Sequence, residues 1–482
     1  MEKPIFEKSI PNRKGYNLPK SEVNLNIEEL IDNKYLRKSE LNLPEVSELD
    51  VMRHFIALSH LNHCIEKGFY PLGSCTMKYN PQLHEAIVSS NLLSELHPNQ
   101  PIETVQGALQ IMYELQNYLT EIAGMCATTL QPVAGAHGEL TGIKIIKTYH
   151  ESKGNTNKKI IILPDSAHGT NPATVTHMGM KVVEIKSNSK GMVDIDALKA
   201  IVNDNVAGFM LTNPNTLGIF DENILEIADI IHKVDGLMYM DGANMNALMG
   251  IVRPGDLGFD VMHYNTHKTL ATPHCGGGPG SGPVSVCKKL VKFLPYPMVS
   301  YSDKYYLDYS NQETSIGKVH SFYGNFATNV KAWIYIKTLG AKGLREVAEN
   351  AIINANYLRK KLEDTYLVPH NQTYCMHEFV ASGVKHKDKG IKTLDIAKRL
   401  LDKGFHAPTI YFPLIVNEAM MIEPTETESK QALDEFVKTM LEINEECEIN
   451  PEIIKNAPYN TPVRRVDDVK ATKDLKVKYV QT

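Results

Sequence analysis

From about residue 105 the chain carries a helical hydrophobic rhythm. Val105, Ala108, Leu109, Met112, Leu115, Leu119 and Ile122 recur at helical spacing, and Gly124 stands where a stop is expected. Beyond this predicted helix, up to about residue 290, short β-branched runs alternate with amphipathic stretches. The runs are Ile160–Leu163, closed by Pro164 and Asp165; Val182, Val183 and Ile185; Phe209–Leu211, ahead of Thr212, Asn213 and Pro214; Leu237–Met240, ahead of Asp241; and Val261–Tyr264, leading to His267 and Lys268. Helical patterns over Ile195–Val202 and Ile224–Val234 lie between them. Apolar strands alternating with helices predict a large, mostly parallel α/β sheet.

Near residue 330 the rhythm changes. A long helix is predicted over Leu344–Leu362, then a strand at Glu378–Ala381, a helix at Ile391–Leu401 and a strand at Met420–Ile422. Thr425 and Glu428 fit a capping box ahead of Leu433, Phe436, Val437, Met440 and Leu441 at helical spacing. The expected organisation is therefore an arm over 1–90, a large α/β domain over 91–330 and a smaller C-terminal α+β domain over 331–482. The arm is broken by Pro4, Pro11, Pro19 and Pro44 and is expected to pack on another surface.

Composition narrows the classes. With 482 residues, 43% hydrophobic and 22% charged, the chain has ample apolar material for large cores, which excludes disorder as its main state. Its 51 basic and 56 acidic residues leave a net charge of −5, unsuited to nucleic-acid binding. No apolar run approaches the ~18 residues of a membrane helix. The start, Met1-Glu2-Lys3-Pro4, has no apolar segment, so neither membrane nor secretory signal is expected. Seven scattered cysteines without a C-x-x-C read as reduced thiols in a cytoplasmic setting, not as a disulfide framework or a zinc site.

In open α/β sheets ligands bind beyond the carboxyl ends of the strands, and special residues cluster there. Gln131–Glu139 holds Gly135 and Gly138, whose bending lets N–H groups at a helix start converge on an anion. Asp165–Asn171 holds His168; Asp241-Gly-Ala-Asn244 and Asn265-Thr-His-Lys-Thr269 follow two later strands. Each has a plainer reading: a tight turn, a surface histidine, a helix-capping aspartate, a solvated lysine. His263 and His267, with His274 beyond, have metal-ligand spacing, but Lys268 intervenes, so no metal is assigned. The 276–282 glycine tract lacks a P-loop ending. Pyridoxal phosphate requires an anion cradle, an acidic partner for its ring nitrogen, a flat group over the ring and a lysine. Gly135-Ala136, Asp241, His168 and Lys268 supply these together.

The same residues resemble a known family. Tyr70–Pro81, Gln131–Glu139, Pro164–Pro172, Tyr239–Asn244, Asn265–Lys268, Gly276–Gly280 and Met421–Ser429 are similar, in order and over nearly the whole chain, to the glycine decarboxylase (P-protein) family of the glycine cleavage system, in the second, lysine-bearing subunit of its split form. The resemblance implies an aspartate aminotransferase-like, fold-type I pyridoxal-phosphate enzyme acting as a glycine dehydrogenase (aminomethyl-transferring). Lys268 would hold pyridoxal 5′-phosphate covalently, Asp241 would keep its ring nitrogen protonated and His168 would stack on the ring. Gly135 and Ala136 would bind the phosphate with Thr266, and Ala134, Ala243 and His267 would complete the cofactor contacts. Long single-chain members often carry Ser where this chain has Ala134, so backbone N–H groups would do more of the work here. The implied partners are glycine, a lipoylated H-protein and a sister subunit, in a heterotetramer of two plus two. The rival readings are another fold-type I amino-acid decarboxylase or aminotransferase, and a non-catalytic subunit that keeps the fold.

Overall fold

A computed structural model of the chain describes residues 2–480 apart from 24, 40, 275–279, 372 and 373; Cys275 and most of the 276–280 motif therefore lie outside the described residues. Two compact units are present. One combines the residues up to Lys67 with those from Pro458 on, and the other is Gly68–Ala457.

The smaller unit carries α1 (Glu48–His60). The Ser47 hydroxyl accepts the Asp50 N–H and the Asp50 carboxylate accepts the Ser47 N–H, both at 3.1 Å, a reciprocal box that satisfies two otherwise orphaned donors. The Ser47 hydroxyl, donating to Asp50 Oδ2 at 2.7 Å, the Ser47 N–H and Arg13 at 2.7 Å pull the Asp50 carboxyl down to about 2. Phe6 stacks on Tyr479, centroids 4.7 Å apart, which joins the two ends of the chain.

In the larger unit α2 (Gln106–Ala123) stops at Gly124, whose φ of +65° is the left-handed cap that glycine adopts without strain. The main sheet follows: β1 (Ala127–Thr129), β2 (Ile160–Pro164), β3 (Lys181–Ile185), β4 (Val206–Thr212), β5 (Leu237–Gly242), β6 (Val261–Tyr264) and β7 (Val284–Val286). Its order is β1-β7-β6-β5-β4-β2-β3. The five strands expected from the β-branched runs are the parallel ones, and β7 runs antiparallel to both β6 and β1. β1 and β7 escaped the sequence pattern because three residues are too short to show a period. Every residue of β4 is buried, as helices on both faces of a parallel sheet require. Those helices include α3 (Gly135–Ser152) and α4 (Thr170–His177), and a single turn, α5 (Thr266–Thr269), follows β6.

A hairpin, β8 (Met298–Tyr301) and β9 (Tyr305–Asp308), leads to α6 (Phe326–Leu362). This helix is longer than the predicted 344–362 stretch because two helical segments join at Gly340, whose φ of +63° and ψ of −177° break the repeat. A second, antiparallel sheet has β12 (Ala419–Ile422) between β10 (Phe379–Ser382) and β11 (Thr409–Ile410), and α7 (Lys430–Ile449) covers it. Its core gathers Leu358, Phe379, Met420, Phe436 and Met440.

One local expectation is corrected. The box predicted at Thr425 and Glu428 does not form; α7 starts only at Lys430, capped by Ser429, whose hydroxyl accepts the Ala432 N–H at 3.2 Å. The segment before it is held out of the helix by bonds to distant residues. The Thr425 carbonyl accepts from Asn354, and Glu423 and Glu426 are drawn to Thr76 and Lys78. Among the described residues no helix is long and apolar enough to cross a membrane.

Candidate active site

A cavity of about 360 Å³ opens at the carboxyl ends of the parallel strands. Ala134, Gly135, Ala136, His168, Asp241, Ala243, His267 and Lys268 all line it. Eight residues that the sequence reading left without a role line it too: Ser74, Glu139, Thr170, Thr212, Thr216, Asn265, His274 and Gly280. Several of these sit inside the quoted motifs, so the motifs marked the neighbourhood but not the individual side chains. Thr266 stands apart: its hydroxyl lies 3.1 Å from that of Thr272 and 3.3 Å from the Ser281 carbonyl. A roomier cavity of about 770 Å³, lined by Tyr113, Gln116 and Lys289 among others, gathers none of these groups.

Each wall follows from its element. α3 begins at Gly135 with Ala134 as a cap that offers no side-chain acceptor, and its first internal bond is from Gly138 N–H to the Ala134 carbonyl at 2.9 Å. The N–H groups of Gly135, Ala136 and His137 therefore remain available at the positive end of an 18-residue helix, the condition for holding an anion. Glycine is needed there for space: a Cβ on Gly135 would stand 1.9 Å from Asn265 Oδ1, and one on Gly138 would stand 2.8 Å from the Gly282 carbonyl. Gly135→Ala is expected to cost about 1–3 kcal/mol of stability through this overpacking. Gly107→Ala, on α2 with open space around it, is expected to leave the melting temperature unchanged or raised. Equal melting temperatures for the two variants would refute the steric reading.

Asp241, near the end of β5, is 2% exposed. Its Oδ1 accepts the Ala243 N–H at 2.9 Å and its Oδ2 accepts Asn171 Nδ2 at 3.0 Å, while His263 Nε2 lies 3.2 Å from Oδ1. Burial alone would raise this carboxyl, but His263, Lys268 and the Asn171 amide outweigh burial and hold it well below the usual carboxylate range. Glu139 is the reverse case. Burial and the neighbouring Asp241 charge raise its carboxyl, although Thr170 and Asn171 donate to it at 2.8 and 3.0 Å. Asn171 thus bridges one carboxyl kept charged and one pushed toward neutrality. His263, grouped in sequence with other histidines, belongs in space with these acids, a proximity that β5–β6 pairing creates.

Lys268 sits on α5, immediately beyond β6, and its side-chain amine makes no hydrogen bond or ion pair with any described residue. Beside it, burial and the Lys268 charge push the His267 imidazole down to about 3, so it is neutral. His274 is lowered by burial as well and directs Nε2 at the Cys75 carbonyl, 2.8 Å away. His168 is exposed at the cavity mouth, its Nδ1 3.1 Å from the Thr170 hydroxyl. The Thr212 hydroxyl, buried in the cavity wall, has no partner among the described residues. An open helix start, a buried charged aspartate, an uncommitted lysine amine and an unsatisfied hydroxyl together suit a phosphate-bearing aromatic aldehyde with a basic ring nitrogen.

Fold and cavity define the class: this is the fold of the type I pyridoxal-phosphate enzymes. Among solved structures, the chain superposes on a glycine decarboxylase (P-protein) of the glycine cleavage system in inhibitor-bound form with a TM-score of 0.73. That match has 20% identity and covers 86% of this chain and 94% of the other. A glutamate decarboxylase from Lactobacillus brevis superposes with a TM-score of 0.65 at 14% identity, over 93% of this chain and 98% of the other. In sequence, residues 18–316 match the family described as Glycine cleavage system P-protein, and 347–460 match Glycine dehydrogenase, C-terminal domain. The chain is 58% identical to a probable glycine dehydrogenase (decarboxylating) subunit 2 from Chloroherpeton thalassium, over 98% of this chain and 97% of that one. It is 56% identical to one of the same description from Caldanaerobacter subterraneus subsp. tengcongensis, over 99% and 98%. The chain belongs to the glycine cleavage system P-protein family.

Proposed function

We propose that the chain is the lysine-bearing subunit of a two-subunit glycine decarboxylase, binding pyridoxal phosphate in the 360 Å³ cavity and passing the aminomethyl group of glycine to the lipoyl arm of H-protein. The observation that carries this reading is the convergence of Lys268, Asp241 and the open start of α3 on one cavity. When bound, the cofactor supplies the electron sink that accepts the pair released as carbon dioxide leaves. The chain's own residues do the rest. The N–H groups of Gly135 and Ala136 hold the phosphate, with the Thr212 hydroxyl as a further donor in reach of the cavity. Asp241 keeps a proton on the ring nitrogen, because its charge is fixed by His263, Lys268 and Asn171. His168 closes the outer face of the cavity, and the Lys268 amine is the group that would hold the cofactor covalently.

The relatives described as subunit 2 belong to a split P-protein, so a partner subunit is part of the reading. α1 supports it: Leu49, Met52, Phe55 and Ile56 are all exposed, and solvent is a poor neighbour for so many large apolar side chains on one short helix. We assign the sister subunit to that surface, in a two-plus-two assembly working in the cytoplasm. Glycine-dependent exchange of carbon dioxide into the glycine carboxyl, measured with and without H-protein and sister subunit, tests the proposal. The lone chain is expected to bind cofactor weakly and exchange poorly, and added sister subunit is expected to restore both. Full exchange by the lone chain would remove the sister subunit from the reading. Decarboxylation of a larger amino acid without H-protein would replace it with an ordinary amino-acid decarboxylase.

A further inference from the structure

Two motif stretches, Tyr70–Pro81 and Met421–Ser429, take no part in the chemistry above, yet they meet at the Ser74 wall of the cavity. Glu378 directly precedes β10 and Glu423 directly follows β12. The antiparallel register sets Phe379 opposite Ile422, so the two glutamates come next to each other one step beyond that pair. Both are 0% exposed.

Their donors differ. Glu378 Oε2 accepts the Ser74 N–H at 2.7 Å, and its Oε1 accepts Asn244 Nδ2 at 3.1 Å. Both partners are obligate donors, which favours a charged carboxylate. Glu423 Oε2 accepts the Thr76 N–H at 2.9 Å, but its Oε1 faces the Thr76 hydroxyl at 2.5 Å, and a hydroxyl accepts as readily as it donates. A protonated Glu423 therefore loses nothing, whereas a protonated Glu378 would. His377, also 0% exposed, lies 3.7 Å from Glu423 and 3.9 Å from Glu378 with both ring nitrogens unpartnered. Burial and the charges of Lys268 and Lys78 push it down to about 3, so it brings no positive charge to the pair.

We propose that Glu378 and Glu423 are positioning residues that share one proton, seated on Glu423, and that the pair clamps Gly73–Thr76 in place as a cavity wall while tying it through Asn244 to the end of β5. Burial and like charge raise the carboxyls of the pair, the direction one shared proton requires, and the two obligate donors on Glu378 against the hydroxyl facing Glu423 decide which of them carries it. The other titratable groups facing the pair are Cys75 on the clamped segment, Lys78 just beyond it, Lys268 on α5, His274 beyond it, Cys375 ahead of β10, and Glu426 beyond Glu423. Burial lifts the Cys75 thiol to about 11, so it stays neutral, and Lys78 is committed to Glu426 at 2.7 Å. The folded chain holds the shared proton more tightly than an unfolded chain would. The clamp is thus complete at neutral pH, with one proton on the pair, and is lost as pH climbs through the pair's raised value, when two adjacent buried carboxylates repel.

The inference rests on the cavity being the cofactor site, and the experiment separates the two. The full chain is prepared cofactor-free as wild type, Glu423→Gln, Glu423→Ala and Glu378→Gln. Melting temperature is followed from mildly acid to alkaline pH, and pyridoxal phosphate is titrated by absorbance. Glutamine at 423 reproduces the protonated acid, its amide donating to the Thr76 hydroxyl and its carbonyl accepting the Thr76 N–H. It is expected to keep affinity within about twofold of wild type and to flatten the alkaline fall in melting temperature. Glu423→Ala, and Glu378→Gln with one N–H facing an amide donor, are expected to weaken cofactor binding roughly tenfold or more. The two glutamine variants behaving alike, or in the reverse order, would overturn the proposal. Failure of every protein, wild type included, to bind cofactor even with the sister subunit added would reject the cavity reading. The melting temperatures would still decide the clamp: Glu423→Gln must match wild type at neutral pH and lose the alkaline fall, and any other pattern refutes it.

Discussion

Lys268→Ala is expected to abolish the covalent capture of pyridoxal phosphate and all glycine exchange while leaving the melting curve of the cofactor-free chain intact. The structural ground is that the Lys268 side-chain amine makes no hydrogen bond or ion pair with a described residue, so its removal orphans no partner. Its helix is held by other bonds, among them those from the Lys268 and Thr269 N–H groups to the Asn265 carbonyl, at 3.0 and 3.1 Å. Among the described residues no second lysine lines the cavity. Lys78, the other buried lysine nearby, is 4% exposed, and its ammonium is spent on Glu426, Asn246 and the Thr269 carbonyl. Breaking that buried pair to free its amine would cost about 3–5 kcal/mol. Borohydride reduction followed by peptide mapping gives the measurement. Cofactor fixed to any peptide in the alanine variant, or wild-type cofactor fixed anywhere but Lys268, would show that the amine has been misassigned.

The parallel sheet was legible because four of its five parallel strands, all but the edge strand β3, are fully or largely buried and read as near-continuous apolar runs, each closed by a polar residue. Asp241 and Lys268 were legible for the same reason: each terminates or follows such a run, and the ends of parallel strands share one edge. The side chains around them were not. Glu139 lies within a helix and Thr212 at a strand end, with no local signal beyond polarity, and only the pairing of β5 with β4 and β6 brings Asp241, Thr212 and His263 together. The failed capping box has a similar origin. Thr425 and Glu428 have the right spacing, but Thr76 and Lys78, more than three hundred residues upstream, decide the conformation there. Sequence patterns report period and burial; long-range hydrogen bonds between polar side chains have no period to report.

Asp241→Asn is expected to lower glycine turnover by about two orders of magnitude or more, equivalent to about 3 kcal/mol of lost transition-state stabilisation, with a much smaller effect on cofactor occupancy. Asparagine is isosteric, and its carbonyl oxygen replaces Oδ1 as acceptor of the Ala243 N–H, so the turn after β5 survives. What disappears is a charge. In wild type that charge is secured against burial by His263, Lys268 and Asn171, which hold the carboxyl well below its ordinary range. It is therefore present throughout the range where the enzyme works and would be lost only as pH falls far below the usual carboxylate value. A proton on the ring nitrogen is stable opposite a carboxylate and has no such support opposite an amide, so the electron sink closes even though the phosphate cradle at Gly135 and the amine of Lys268 are untouched. Removing the Asp241 charge also removes the repulsion that raises Glu139, which is expected to ionise at lower pH in the variant. Occupancy is measured by absorbance and turnover by exchange at saturating cofactor. Turnover within a few-fold of wild type, or cofactor loss as large as the turnover loss, would reject the assignment of Asp241 to the ring nitrogen.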